Sequence, residues 1–234
     1  MGMPHGPRVI ALLPMKANSE RVKGKNFRIF HGKPLYQWVL SSLLAVKDID
    51  AVVINTDARH ILAENGLVES RRVHIRNRKP ELCGDLVSMN LVLADDVVNI
   101  PADVYLMTHT TNPLLTSGTI QEALELYDAC MAEGTADSVF GVNTFQTRFY
   151  RKDGSAVNHD PNILMRTQDL EPWFEENSNL YIFSRASFDS TQARIGKRPR
   201  MFEMRKTESI DIDDQESWDM AEAMAMYRSV NRGR

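Results

Sequence analysis

A basic loop follows the first apolar run of the sequence. Between positions 16 and 25 it carries four cations, Lys16, Arg21, Lys23 and Lys25, against one acidic residue. In open α/β sheets, ligands bind beyond the carboxyl ends of the strands, and a basic loop there can bind polyphosphate through side chains and backbone N–H groups. The loop lacks the GxxxxGK[ST] pattern, and its single glycine, Gly24, excludes GxGxxG. A solvated surface loop is the alternative interpretation.

An aspartate pair lies in Ser-Ile-Asp-Ile-Asp-Asp at positions 209–214. Side chains alternate along an extended segment, so Asp211 and Asp213 are expected on one face and the two isoleucines on the other. Two carboxylates on one face attract Mg²⁺, which accepts one or two carboxylates plus substrate phosphates. Asp214 can cap the following helix. The alternative is that all three aspartates are strand-end and cap residues.

Three further polar loops contain candidate binding residues. Arg78 and Lys79 add positive charge, and His109 lies in a Thr-His-Thr-Thr-Asn-Pro turn after another apolar run. Asn177 and Tyr181 lie at the start of a later apolar run. The Tyr181 side chain is expected either to pack in the core or to form a wall of the substrate site. The sequence has no HExxH-type zinc spacing and no GxSxG elbow.

The elements that must position these residues follow an alternating pattern. Short apolar runs predict buried strands at 8–14, 51–55, 73–76, 103–108 and 138–142. Helical spacing predicts helices at 34–46, 58–65, 89–98 and 120–133. The candidate N-caps are Asp57 for the second helix, Asp85 or Ser88 for the third and Thr116 or Ser117 for the fourth. This order predicts an α/β fold with a Rossmann-like, mainly parallel sheet and helices on both faces.

The pattern breaks across residues 143–176, which are polar and interrupted by Pro161 and Pro172. We name this segment the arm, and interpret it as an inserted hairpin, a lid or a dimerisation arm. Its aromatic residues are of the types enriched at interfaces, so we expect a homodimer through the arm. Beyond it we expect a strand at 180–183, an extended segment at 209–212 and a last helix at 215–229.

Composition excludes several classes of protein. The 234 residues suit a single domain, and 43% hydrophobic with 25% charged residues is typical of a globular chain. A net charge of −3 argues against a nucleic-acid-binding protein. No apolar stretch has the length of a membrane span, and two cysteines fit a reducing compartment, so we expect a cytoplasmic protein.

Taken in order, these segments resemble the acylneuraminate cytidylyltransferase family, whose members make CMP-activated acidic sugars. The resemblance covers nearly the whole chain. It rests on LPMKANSERVKGKN, VINTD, RKPELCGD, THTTNPLL, ENSNLYIF and SIDIDDQESWDMAE.

The resemblance implies a role for each matching residue. Lys25 would bind the CTP phosphates, Asn26 and Arg78 the nucleotide, and Asp211 and Asp213 a Mg²⁺ ion. Ser19 also matches the family's first loop and is assigned to the nucleotide, and His109, Asn177 and Tyr181 are assigned to the sugar. The family is dimeric, and its dimerisation excursion resembles the arm.

Some positions depart from the family pattern. Lys16 replaces a phosphate-binding arginine and loses its bidentate fork, for which Arg21 can compensate. Glu175 stands where the family often has arginine. Because an acidic sugar needs a facing cation, we assign its carboxylate to Arg148 or Arg166 on the arm.

The function expected is transfer of CMP from CTP to an acidic 2-keto-3-deoxy sugar, with Lys16, Lys25, Asp211 and Asp213 as catalytic residues. The alternatives are another sugar nucleotidyltransferase on the same fold, a glycosyltransferase, and a non-catalytic nucleotide-sugar-binding homologue.

Overall fold

The strands and helices alternate along the chain, as the sequence predicts. In the computed structural model, which describes residues 8–17 and 22–231, the strands are β1 (Val9–Leu12), β2 (Ile29–Phe30), β3 (Lys33–Pro34), β4 (Ala51–Thr56), β5 (Val73–Asn77), β6 (Val104–Thr108), β7 (Ser138–Phe145), β8 (Trp173–Ser184) and β9 (Pro199–Glu203). The helices are α1 (Leu35–Ala45), α2 (Arg59–Glu64), α3 (Met89–Asn99), α4 (Ser117–Glu133), α5 (Arg185–Thr191) and α6 (Gln215–Asn231). Among the described residues, none of the helices is long and apolar enough to cross a bilayer.

One mostly parallel sheet carries the fold. Its seven strands lie in the order β5-β4-β1-β6-β8-β7-β9, and β2 pairs separately with β3. Every residue of β1, β4 and β6 is buried because helices cover both faces of the sheet. Ala11 and Val52 face α1 and α4 in one core cluster, and Ile10 and Val53 face α3 in the other. The predicted α/β, Rossmann-like architecture is confirmed.

Local sequence signals fix several helix ends. The Ser88 side chain caps α3, and the Thr116 hydroxyl accepts from Thr119 N at 3.2 Å at the start of α4. Gly134 ends α4 with a φ of 66°, which favours glycine. The proposed cap Asp57 is a correction: its carboxylate accepts from Ala17 N at 2.7 Å and so holds the first loop.

The order of strands departs from a simple βαβ series. β8 lies between β6 and β7 and runs antiparallel to both, while β9 runs parallel to β7. The sequence does not predict β9. The segment expected to be extended at 209–212 is not part of the sheet. A backbone hydrogen bond from Ile212 N to Thr111 O at 2.9 Å ties it to the loop after β6.

The arm begins and ends as a two-stranded ribbon. β7 and β8 remain paired as far as Phe145 and Trp173, so both ends of the arm are strands, where the sequence suggests irregular chain. The register shifts between Phe140 and Val142. Beyond the ribbon, the rings of Phe149 and Trp173 stack with centroids 5.4 Å apart.

Candidate active site

A cavity of about 300 Å³ lies at the carboxyl edge of the parallel half of the sheet. We call it the basic cavity, because Lys16, Lys25 and Arg78 line it. Its other walls come from the end of β1, the loop after β5, the loop after β6 and Asp213. The strand edge predicted to bind a ligand therefore has a pocket with three cations.

The side chain of Lys25 is held in place by the segment that carries the aspartate pair. The residue is buried, and its Nζ donates to Ile212 O at 2.6 Å and lies 3.7 Å from Asp213 Oδ1. Gly24, at a φ of 61°, turns the chain into the short 3₁₀ helix Lys25–Phe27. The structure thus joins the basic loop to the aspartate pair, which lie far apart in sequence.

Asn26 and Lys16 complete the first-loop side of the basic cavity. Asn26 Nδ2 donates to Lys16 O at 2.8 Å, and Thr110 Oγ1 donates to Asn26 Oδ1 at 2.7 Å. The half-exposed Lys16 Nζ lies 2.5 Å from Asp85 Oδ1 across the mouth of the cavity. Two other residues expected here, Ser19 and Arg21, lie outside the described residues.

Arg78 is buried against the main chain of the first two parallel strands. Its guanidinium donates to Asn55 Oδ1 at 3.1 Å, to Asn55 O at 2.8 Å and to Met15 O at 3.2 Å. Burial lowers the pKa of Arg78, against the opposing charges of Asp57 and Asp96. These hydrogen bonds fix the direction of the guanidinium toward the cavity that it lines.

Behind Arg78 lies a buried acid that the sequence analysis missed. Asn55 Nδ2 donates to Asp96 Oδ1 at 2.8 Å, and the Arg76 guanidinium hydrogen-bonds to the same oxygen. Asp96 Oδ2 is buried without a hydrogen-bond partner in the described part of the chain. Burial raises the pKa of Asp96 to about 6, against the hydrogen bond from Asn55 and the charge of Arg76. The sequence signal that could have identified Asp96 is its position one helical turn after Val92, because residues at this spacing lie on the same face of a helix.

A second cavity of about 300 Å³ adjoins the first. We call it the acidic cavity, since Glu175, Glu176, Asp211 and Asp213 contribute four carboxylates to its wall. The remaining lining residues are Asn143, Asn177, Ser178 and Ser209. Asp213 lines both cavities, so the two share one wall.

Asn177 and Tyr181 both lie on β8: Asn177 lines the acidic cavity, whereas Tyr181 is fully buried in the core. Asn177 Nδ2 donates to Asn143 Oδ1 at 3.1 Å, and Asn177 Oδ1 accepts from Asn179 N at 3.1 Å. The buried Tyr181 hydroxyl donates to Glu176 Oε1, and burial together with this bond raises the Tyr181 pKa. Ser178 between them has a φ of 57°, the left-handed conformation.

His109 lies against a second residue that the sequence analysis missed. Its Nε2 is 3.3 Å from a terminal nitrogen of Arg194, in the connection between α5 and β9. Burial, Arg194 and Lys25 lower the pKa of His109 to about 3. The imidazole is therefore neutral near pH 7. No sequence pattern singles out Arg194, because its neighbours come from β6 and β8.

The two arginines assigned to the sugar carboxylate lie on the arm. Arg148 donates a hydrogen bond to Met165 O. The exposed Arg166 forms a bidentate ion pair with Asp169, with distances of 2.8 and 2.9 Å. Neither lines the basic or the acidic cavity. Within one protomer, the structure does not bring them to the other site residues.

The aspartate pair fits a magnesium ion by donor type. Asp211 and Asp213 line one cavity while the intervening Ile212 is fully buried, which gives the alternation that the sequence predicts. Within the described residues there is no cluster of three or more His, Cys, Asp or Glu side chains able to hold a metal. Two carboxylates suffice for Mg²⁺ when substrate phosphates supply further oxygens.

Relatives at modest identity span most of the chain. An N-acylneuraminate cytidylyltransferase of Oncorhynchus mykiss is 28% identical over 222 residues, which are 92% of this chain and 49% of that protein. A CMP-N,N'-diacetyllegionaminic acid synthase of Legionella pneumophila is 24% identical over 229 residues, covering 93% and 96% of the two chains. The chain spans about half the length of the N-acylneuraminate cytidylyltransferases that it matches.

Solved structures share the fold. A CMP:2-keto-3-deoxy-manno-octonic acid synthetase complexed with CTP superposes with a TM-score of 0.68 at 14% identity, over 94% of this chain and 99% of that one. A 4-diphosphocytidyl-2C-methyl-D-erythritol synthase from Anaerococcus prevotii gives 0.65 at 10% identity, over 94% and 96%. The family model described as cytidylyltransferase matches residues 10–232. The chain therefore belongs to the cytidylyltransferase family.

Proposed function

We propose that this chain transfers CMP from CTP to the anomeric hydroxyl of an acidic 2-keto-3-deoxy sugar and releases pyrophosphate. One observation carries the proposal: Asp213 is a wall of both the basic and the acidic cavity. Transfer requires the α-phosphate of one substrate to meet a hydroxyl of the other, and a shared wall is where the two can meet. The names of the relatives that match most of the chain support the same pair of substrates.

The basic cavity is assigned to CTP. Lys25 is already oriented by Ile212 O and Asp213, so its charge is in place as negative charge grows on the phosphates. Lys16 would exchange Asp85 for a phosphate oxygen, a charge-assisted bond of the same kind. Arg78 and Asn26, which also line this cavity, would orient the nucleotide. The bond from the α-phosphorus to the bridging oxygen breaks as the sugar oxygen attacks, and pyrophosphate leaves.

Asp211 and Asp213 would hold a Mg²⁺ ion at the boundary of the cavities. When bound, such an ion offsets phosphate charge and lowers the pKa of a hydroxyl that it contacts. The chain keeps the two carboxylates on one side by burying Ile212 and by tying its N–H to Thr111 O. We assign no side chain as the base, because His109, with a pKa of about 3, is too weak an acceptor near neutral pH.

A pyrophosphate-release screen tests the proposal. Each of the four nucleoside triphosphates is combined with N-acetylneuraminate, N,N'-diacetyllegionaminate, 2-keto-3-deoxy-manno-octonate and a neutral hexose. We expect release with CTP and an acidic sugar only. Release with a different triphosphate, or with the neutral sugar at an equal rate, would favour another nucleotidyltransferase activity. Absence of release, together with binding of CTP, would favour a non-catalytic homologue.

We also propose that the arm mediates a homodimer. Trp173 and Phe174 are 41% and 40% exposed, and Leu164 is 89% exposed, although apolar side chains of this size are usually covered. Aromatic residues of this kind are enriched in the buried centres of interfaces. A partner subunit is the surface that would cover them.

A further inference from the structure

The acidic cavity poses an electrostatic problem for an acidic sugar. Among the described residues, its lining has four carboxylates and no cation. A Mg²⁺ ion at the aspartate pair would offset charge at one end only. Glu175 and Glu176 lie at the other end, on β8, and a sugar carboxylate arriving there needs a positive partner.

Arg194 is a cation that contacts a lining residue of each cavity without lining either cavity itself. Its guanidinium lies over the ring of Tyr181, 3.8 Å from the centroid, in a cation–π contact. One terminal nitrogen is 3.2 Å from Glu176 Oε1, in the acidic cavity, and the other is 3.3 Å from His109 Nε2, in the basic cavity. Arg194 therefore contacts the walls of both cavities, through His109 in the basic cavity and Glu176 in the acidic cavity.

The guanidinium keeps donor capacity after these contacts. An arginine side chain has five N–H donors. In the described part of the chain, the hydrogen bonds of the Arg194 side chain all come from its two terminal nitrogens. Its Nε–H has no hydrogen-bond partner among the described residues. The neutral His109 accepts from Arg194 without adding a second positive charge, and the side chain is only 19% exposed. Because Arg194 is half-buried, oriented and keeps a donor without a partner in the described ranges, it is better placed to bind a carboxylate than the exposed Arg166. Arg166 already forms a bidentate ion pair with Asp169.

We propose that Arg194 binds the carboxylate of the acidic sugar and that Tyr181 and His109 position it. This inference rests on the proposed function and names the specificity residue of its second substrate. Glu176 holds the guanidinium through one nitrogen in the absence of the sugar and leaves the Nε side for the ligand. The assignment replaces the arm residues Arg148 and Arg166 in that role.

The test compares acid and amide forms of the sugar on matched variants. The probes are the acidic sugar with the highest turnover in the pyrophosphate screen and its C1 carboxamide. The variants are Arg194→Gln and Arg194→Lys, with Arg185→Gln as the control. Arg185 is an exposed arginine of the preceding helix, paired with Asp189 at 3.6 Å, and it lines neither cavity. Sugar KM, CTP KM and kcat are measured for each protein.

Loss of one charge-assisted contact predicts a rise of about ten- to a hundredfold in the sugar KM of Arg194→Gln. Its CTP KM should stay within about threefold of wild type, with a smaller effect for Arg194→Lys, which keeps the charge. The preference for acid over carboxamide should shrink by a similar factor in Arg194→Gln and remain in Arg185→Gln. Arg148→Gln and Arg166→Gln should also retain it.

The possible failures are distinguishable. If wild type turns over the acid and Arg194→Gln keeps the full preference for acid over amide, the carboxylate assignment is overturned while the proposed function stands. A variant in which sugar KM, CTP KM and thermal midpoint all worsen together, with the preference intact, assigns Arg194 a structural role and overturns the inference. If wild type releases no pyrophosphate with any acid, the proposed function fails, and the inference fails with it.

Discussion

Asp96 gives the structure a measurable pH signature. The residue is fully buried in α3, and burial raises its pKa from 3.8 to about 6. The groups that face it are Asn55 on β4 and Arg76 on β5, with Asp95 beside it on its own helix. The unpartnered Oδ2 is where the proton is expected, because Oδ1 already accepts two hydrogen bonds.

The sign and size of the effect follow from linkage. Because the folded-state pKa is raised, the folded chain takes up the proton before the unfolded chain as the pH falls. Wild type should therefore gain stability relative to Asp96→Asn on acidification. A rise in the pKa from 3.8 to about 6 can change the difference in free energy of unfolding between the two proteins by at most roughly 3 kcal/mol. Roughly 1.4 kcal/mol of this change falls between about pH 7.5 and about pH 5. For a chain of this size that is a relative change in Tm of about 3–6 °C.

The assay is urea unfolding of both proteins at several pH values, with the difference in free energy of unfolding plotted against pH. Other titrating groups cancel in this difference. Asp95→Asn is the matched control: burial opposes ionisation of Asp95, but Lys79 and Arg76 outweigh it and its pKa is lowered. That carboxylate stabilises the fold above its unfolded pKa, and its charge makes only a minor contribution to the raised pKa of Asp96. The difference curve of Asp95→Asn should therefore change much less across the same window than that of Asp96→Asn. Parallel stability curves for wild type and Asp96→Asn would refute the reasoning.

Four further predictions concern the two cavities and the arm. Asp213→Asn should lower kcat by orders of magnitude with an unchanged circular dichroism spectrum, and near wild-type kcat at saturating Mg²⁺ would contradict the metal assignment. Lys25→Ala should weaken CTP binding by about ten- to a hundredfold in calorimetry. The exposed Lys23→Ala is its control, and equal small losses in both would indicate a diffuse basic surface. Ser178→Gly should raise the free energy of unfolding by up to about 1 kcal/mol, because the φ of 57° at this position favours glycine; a lower urea midpoint would contradict this. Sedimentation equilibrium should give a dimer of the 26.6 kDa chain, and a monomer at all concentrations would exclude the arm as an interface.

The parallel half of the fold is predictable because its signals are local. The apolar runs that became β1, β4 and β6 are buried on both faces, and the side chains of Ser88 and Thr116 cap the helices that they precede. These features depend on a few neighbouring residues.

The antiparallel half is not predictable in the same way. The insertion of β8 between β6 and β7 depends on pairing between strands far apart in sequence. The strand β9 contains Pro199 and lies at the sheet edge, where its side chains are mostly exposed and show no apolar run.

The residues of the candidate site also fall into a group with local sequence signals and a group that depends on contacts between distant segments. Lys25 and the aspartate pair stand out as candidates because their residue types and spacing are local signals, and Asn26 stands out through the resemblance of its segment. Asp96 and Arg194 were missed because their importance comes from contacts with β4, β5, β6 and β8. The assignment of the sugar carboxylate to Arg148 or Arg166 rested on their charge and on the family resemblance of the arm, and neither signal gives a distance to the cavities.

The two cavities have walls from different parts of the sheet. Arg78 and the first-loop residues follow parallel strands, whereas the lining residues from Asn143 and Glu175 to Ser178 belong to the β7–β8 ribbon. Under the proposed assignment of the cavities, substitutions in the ribbon would alter which acceptor fits without changing the nucleotide side, so acceptor preference would be free to diverge among descendants of one ancestral sequence. Asp213, which belongs to both walls, is the position where such divergence is most constrained.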